Sequence, residues 1–392
     1  MLFTRKILFL FSWLLFGLLF SSCSGDEKIV SISKQDNVED ETLLQPQELR
    51  DPQTITNPVG SPPASIIVFK GYLSSSEQRL YTISSRAERG TPQLLGKNHT
   101  QFIEMVSSPH PHFLYTFTEE RGVRTLGEFN SKTNFFRPLI FNVGKAFDLK
   151  PLGPLKIAFL KQETVNHQSL NVFFIENNEL KKQDFKNSEV TSYEFSEKQN
   201  IFIYAEAQEN KSSLVKMNIE KENFGNSTIL LEKEGVRFPY TAMNATAEEL
   251  YFVEKKDALS KLKILDLKTG EETLLFEMEN IYELSLSPNN LFLTFWTESY
   301  QGQELWLYNV LSKNRTLLSP LSVPHIHEVA YRHKRVHPVW TQDSENIIFG
   351  SFNRWYGNIY NYNLSTGKTR PLTDNIFVDF YNPAILLSED GL

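Results

Sequence analysis

The chain has 392 residues, 40% of them hydrophobic and 13% aromatic, with 30 Phe and 15 Tyr; that ring content favours sheets and can fill a large core. Its formal net charge of -7 gives no general attraction for a polyanion, so nucleic acid is not expected as a partner. The single cysteine excludes a disulfide framework and any multi-thiolate metal site.

The first residues read as an export signal. Arg5 and Lys6 precede an apolar run from Ile7 to Phe20 that ends at the small residues Ser21 and Ser22, and this run is too short to span a bilayer comfortably. Cys23 follows at once, and Phe20-Ser21-Ser22-Cys23 resembles the lipobox of bacterial lipoproteins, with Phe where Leu is usual. The resemblance implies cleavage after residue 22 and a diacylglycerol- and palmitate-bearing Cys23, the expected membrane anchor. A lipidated Cys23 leaves the mature chain no free thiol. Ser24, standing where inner-membrane lipoproteins of some bacteria carry Asp, resembles an outer-membrane address.

From Ser24 to about Gly60 the chain carries eight acids against three bases and almost no rings, so it cannot bury enough surface to fold alone. It is expected to act as a flexible tether, a coil spanning on the order of 35 Å. The expected division is therefore a signal peptide over 1–22, a lipidated cysteine and acidic tether over 23–60, and one folded domain over 61–392.

That domain is repetitive. Apolar runs ending in a ring recur at Ile66 to Phe69, Phe113 to Phe117, Lys156 to Phe159, Ile201 to Tyr204, Leu250 to Phe252, Phe292 to Phe295 and Ile347 to Phe349, with final rings 48, 42, 45, 48, 43 and 54 residues apart. Such a period suits one four-stranded propeller blade. A second alternating strand follows a polar turn, as at Arg79 to Ile83, Leu262 to Asp266, Glu304 to Tyr308 and Asn358 to Tyr362. Lys268-Thr-Gly270 and Ser365-Thr-Gly367 then make tight turns before a short third strand. Each unit is a meander. The stretches from Ser287 to Pro320 and from His337 to Thr373 resemble the TolB-type propeller repeat, whereas the repeats between Phe147 and Phe276 keep only its hydrophobic spacing.

The first repeat begins abruptly at its second strand, and Asn382 to Gly391 looks like the missing first strand and its turn. The expected fold is all-β: a seven-bladed β-propeller closed by the C-terminal strand. TolB acts as a partner-binding module near the outer membrane, but it has a further N-terminal domain and no lipid anchor, so its partners do not transfer.

Motifs of catalysis are missing: there is no Gly-x-Ser-x-Gly, and His327-Glu328 is followed by Val329, Ala330 and Tyr331, which breaks the zinc-protease pattern. The unusual concentration lies between Ser319 and Pro338, where His325, His327, His333 and His337 stand with Arg332, Lys334 and Arg335. In a propeller this segment and the Asn353 to Gly357 hairpin, with Arg354, Trp355 and Tyr356, fall on one face, together with Glu298 to Gln301. Such a rim could bind an anionic or carbohydrate ligand, Arg335 and Arg354 pairing with acids and Trp355 or Tyr356 stacking on a sugar. Ordinary loop residues are the plain alternative, and a divalent metal on His325, His327, His333 and His337 a third. The His337-Pro338 blade start resembles oligogalacturonate lyases, which use histidine-held manganese; the family's remaining ligands have no match here. Trp306 and Trp340 are expected in the core, and the charge runs Glu232 to Glu234 and Lys255 to Asp257 at solvated turns. The expected function is a non-enzymatic, membrane-anchored module that binds or scaffolds an envelope protein or anionic glycan, with no cofactor beyond the lipid. The alternative is a metal-dependent polysaccharide lyase.

Overall fold

The computed structural model describes residues 65–72, 78–86, 91–95, 101–220, 223–299, 302–318, 338–353, 356–374 and 379–386. Within them the chain forms β1 (Ile66–Tyr72), β2 (Gln78–Ser84) and β3 (Gln93–Leu95), then six complete meanders. These are β4 (Gln101–Ser107), β5 (Phe113–Glu120), β6 (Val123–Asn130) and β7 (Phe135–Ile140); β8 (Lys145–Pro151), β9 (Lys156–Thr164), β10 (His167–Phe174) and β11 (Glu179–Lys186); and β12 (Glu189–Ser196), β13 (Ile201–Gln208), β14 (Lys211–Glu220) and β15 (Asn223–Glu234). They continue with β16 (Thr241–Met243), β17 (Glu249–Lys256), β18 (Leu259–Asp266) and β19 (Glu272–Glu279); β20 (Ile281–Leu286), β21 (Phe292–Ser299), β22 (Gly302–Asn309) and β23 (Arg315–Leu317); and β24 (Val339–Trp340), β25 (Asn346–Asn353), β26 (Tyr356–Asn363) and β27 (Lys368–Pro371). The last strand, β28 (Asp379–Leu386), pairs antiparallel with β1, from Ile66 opposite Leu386 to Tyr72 opposite Asp379.

The result is a seven-bladed β-propeller, and each of the seven ring-ended runs is the second strand of a blade. These strands need continuous apolar character because they are bonded on both edges and covered on both faces: Ile201 through Ala205 in β13 are all buried. Packing between blades is aromatic. Phe117 meets Phe159 edge-on at 5.6 Å between the second and third blades, and Phe292 stacks on Trp340 at 6.4 Å between the sixth and seventh. Burying one such side chain contributes about 2 kcal/mol. At the closure, Ile67, Phe69 and Ile385 share a core with Ile348 and Ile359, so the tail completes the first blade and also seals it against the seventh.

Turn chemistry accounts for the divergent repeats. Gly270 and Gly367 hold φ of 77° and 65° in the turns before the outer strands, while Asn134, Asn178 and Lys313 take φ of 54°, 52° and 59° in the corresponding turns of other blades. Asn tolerates this region better than most side chains, which is how repeats without Gly keep the same hairpin. In the turns between first and second strands, a hydroxyl or amide at the first position fastens the loop: Phe292 N donates to Ser287 Oγ at 3.0 Å, Asn346 N to Thr341 Oγ1 at 2.9 Å and Glu248 N to Asn244 Oδ1 at 2.9 Å.

Two expectations need correction. Glu232 to Glu234 end a strand, where Lys233 is wedged among carboxylates of the next blade. Trp306 is only partly buried, because its Nε1 donates to Thr297 Oγ1 at 3.1 Å; Trp340 is buried as expected.

Strand order fixes the two faces of the ring. Turns from first to second and from third to fourth strands lie on one face; hairpins from second to third strands and the links between blades lie on the other. Ser65, preceding β1, therefore sits on the turn face. The ends of β25 and β26 that face each other, Asn353 and Tyr356, belong to the opposite, hairpin face.

Candidate functional site

The described side chains with unusual chemistry converge on the inner strands, whose ladders are bulged. Register shifts fall between Phe102 and Glu104 in β4, Phe147 and Lys150 in β8, Val190 and Ser192 in β12, and Tyr282 and Ser285 in β20. A bulge turns a residue out of the alternating pattern. Asp148 and Glu283 sit in two of them at φ of 53° and 56°, a conformation that costs a side-chain-bearing residue energy and persists only when its surroundings enforce it.

Those surroundings form a girdle. Glu104 Oε1 accepts a hydrogen bond from Leu149 N at 2.7 Å, tying the second blade to the third. Lys150 Nζ donates to Tyr193 O at 2.5 Å and to Glu194 Oε1 at 3.0 Å in the fourth blade, and lies 4.7 Å from the centre of the Tyr193 ring. Tyr193 OH returns a bond to Asp148 O at 2.6 Å. On the other side of the second blade, Lys70, only 2% exposed, donates to Phe102 O at 3.2 Å and Ile103 O at 2.9 Å.

Lys150 and Glu194 are deeply enclosed by the propeller, yet their side chains keep 31% and 21% of their surface open. Burial alone would depress the Lys150 ammonium, but Glu194, Asp148 and Glu283 outweigh it and hold its pKa above the ordinary lysine value. Burial also pushes the Glu194 carboxyl up, and Lys150 offsets this only in part while Asp148 adds to it. The two upward shifts have different leading causes, carboxylates around Lys150 and burial for Glu194, with Asp148 adding to both. Burial, reinforced by Asp148, Glu104 and Glu194, raises the Tyr193 phenol well above its usual value, which keeps it a protonated donor. The girdle can hold blades together and favour cations in the channel; it contains no paired nucleophile and base.

His325, His327, His333, Arg335 and His337, together with Arg354 and Trp355, lie outside the described residues, as does Cys23. Tyr356 is described as the first residue of β26, paired with Asn353. Among the described residues no three His, Cys, Asp or Glu side chains gather as metal ligands, and two histidines have protein partners: His110 Nε2 lies 3.0 Å from Pro154 O, and His167 Nε2 lies 2.8 Å from Asp184 Oδ1. Sequence reasoning missed the girdle. Its available signal was an acid inside an otherwise apolar inner strand, as in Phe147-Asp-Leu-Lys150 and Tyr282-Glu-Leu-Ser285.

The fold and its girdle define a closed seven-bladed propeller, as the resemblance to TolB-type repeats implies. Solved structures share it. A putative 6-phosphogluconolactonase from Bacteroides uniformis superposes with a TM-score of 0.59 at 12% identity, over 82% of this chain and 99% of that one. An oligogalacturonate lyase from Vibrio parahaemolyticus gives 0.57 at 11% identity, over 74% and 85%. TolB from Acinetobacter baumannii gives 0.49 at 10%, and this chain spans 66% of its length. At these identities the likeness is one of fold alone. No family model and no curated protein matches the sequence.

Proposed function

We propose that this chain is a bacterial envelope lipoprotein, anchored through Cys23 with the outer membrane as its address, whose propeller binds or scaffolds a protein or an anionic glycan. The observation that carries the reading is the division of the ring into two faces. Ser65, which precedes β1, belongs to the turn face, and Asn353 and Tyr356, the facing ends of β25 and β26, belong to the other. In this reading the hairpin face is the one that meets the partner. Glu104, Lys150 and Glu194 on the inner strands are engaged between blades, and the reading assigns recognition to the expected rim of His325, His327, His333, Arg335, His337, Arg354, Trp355 and Tyr356.

The test has two arms on the full chain. Radioactive palmitate should label the wild type and not Cys23→Ala, and the variant should stay unprocessed or move out of the membrane fraction. Replacing Arg335, Arg354 and Trp355 together by Ala should abolish retention of an envelope protein or acidic glycan while leaving the melt within a few degrees, since each charge-assisted contact is worth roughly 1.5 to 3 kcal/mol. An unlabelled wild type removes the anchor from the reading, and full binding by the triple variant removes the rim. Cleavage of uronate polymers that stops on chelation would replace the binding module with the lyase.

A further inference from the structure

We draw no further inference here: the strongest candidate, the surface patch of exposed apolar side chains Val123, Phe141 and Val165 on loops of the second and third blades at the hairpin face, carries nothing because nothing in the structure shows what covers it.

Discussion

At the scale of single residues, inner and outer strands impose opposite demands. Gly127 in β6 shows one: a Cβ there would stand 2.2 Å from Phe136 Cζ and 2.6 Å from Arg137 O. The ring lies over the bare backbone, and the carbonyl blocks the alternative position. Gly127→Ala should cost about 2 kcal/mol, a fall of several degrees in Tm by calorimetry; an unchanged melt would mean the ring repacks freely. Lys150 shows the other demand, a charge kept inside because carboxylates surround it. Lys150→Met leaves Glu194 under the influence of Asp148 without their cation, and should cost about 2 kcal/mol, below the figure for a fully buried pair because both side chains keep part of their surface open. The sign of its pH dependence follows from Glu194. A carboxyl whose folded pKa is raised stabilises the fold in its protonated form, and that stability is lost as pH rises through the folded value. Removing Lys150 raises Glu194 further, so the defect should be larger at mildly alkaline than at mildly acidic pH. Urea titrations at the two values decide it, and an equal loss at both would show that Glu194 does not feel Lys150.

At the scale of elements, the second strands were legible because they answer to one constraint, continuous burial, that leaves a ring-ended apolar run in the sequence. The closing strand was legible for a similar reason: Pro383-Ala-Ile-Leu386 are all buried, and an apolar tail after the last repeat has nowhere to go but the first blade. Inner strands were not, because bulges break their period and the channel accepts Asp148, Lys150 and Glu194 where a core would not. Nor was the joint between the fourth and fifth blades, where Lys233 and Lys263 alternate with Glu254 and Glu272 at 2.5 to 3.1 Å; its members are up to 39 residues apart in the chain and read singly as surface charges. The segment from His325 to His337 offers only composition, since no strand period runs through it, and it lies outside the described residues. Burial tends to raise the Glu254 and Glu272 carboxyls, but hydrogen bonds from the two lysines prevail and hold both below the ordinary range. Their contribution is therefore present above the unfolded carboxylate pKa and lost as pH falls through the lower, folded one. Lys263→Met should destabilise by about 1 to 3 kcal/mol near neutrality and by progressively less in acid, measured as the shift in urea midpoint. A constant shift across that range would detach the lattice from stability.

At the scale of the whole molecule, the ring is held by a single non-local pairing, β28 on β1, while every other blade is a local meander. Removing residues 379–392 should leave β1 as an exposed edge and uncover Ile67 and Phe69, giving insoluble protein or loss of the cooperative melt. That result alone would not separate the need for closure from the need for this particular blade to close. A circular permutant does. Ile66 and Leu386 face each other across the ladder, so the five-residue turn Ser287 to Leu291 that joins β20 to β21 can be copied between them to make the first blade an ordinary meander. New ends placed at Leu311, 74% exposed between β22 and β23, transfer the closing role to the sixth blade, at a site of the kind where reconnection is tolerated. The permutant should be soluble and melt cooperatively within several degrees of the parent domain. Because the cut falls on the turn face, it should also keep whatever the hairpin face binds. A permutant that is unfolded while the parent domain is folded would show that the β28–β1 seam has a role in assembly that the sixth blade cannot assume.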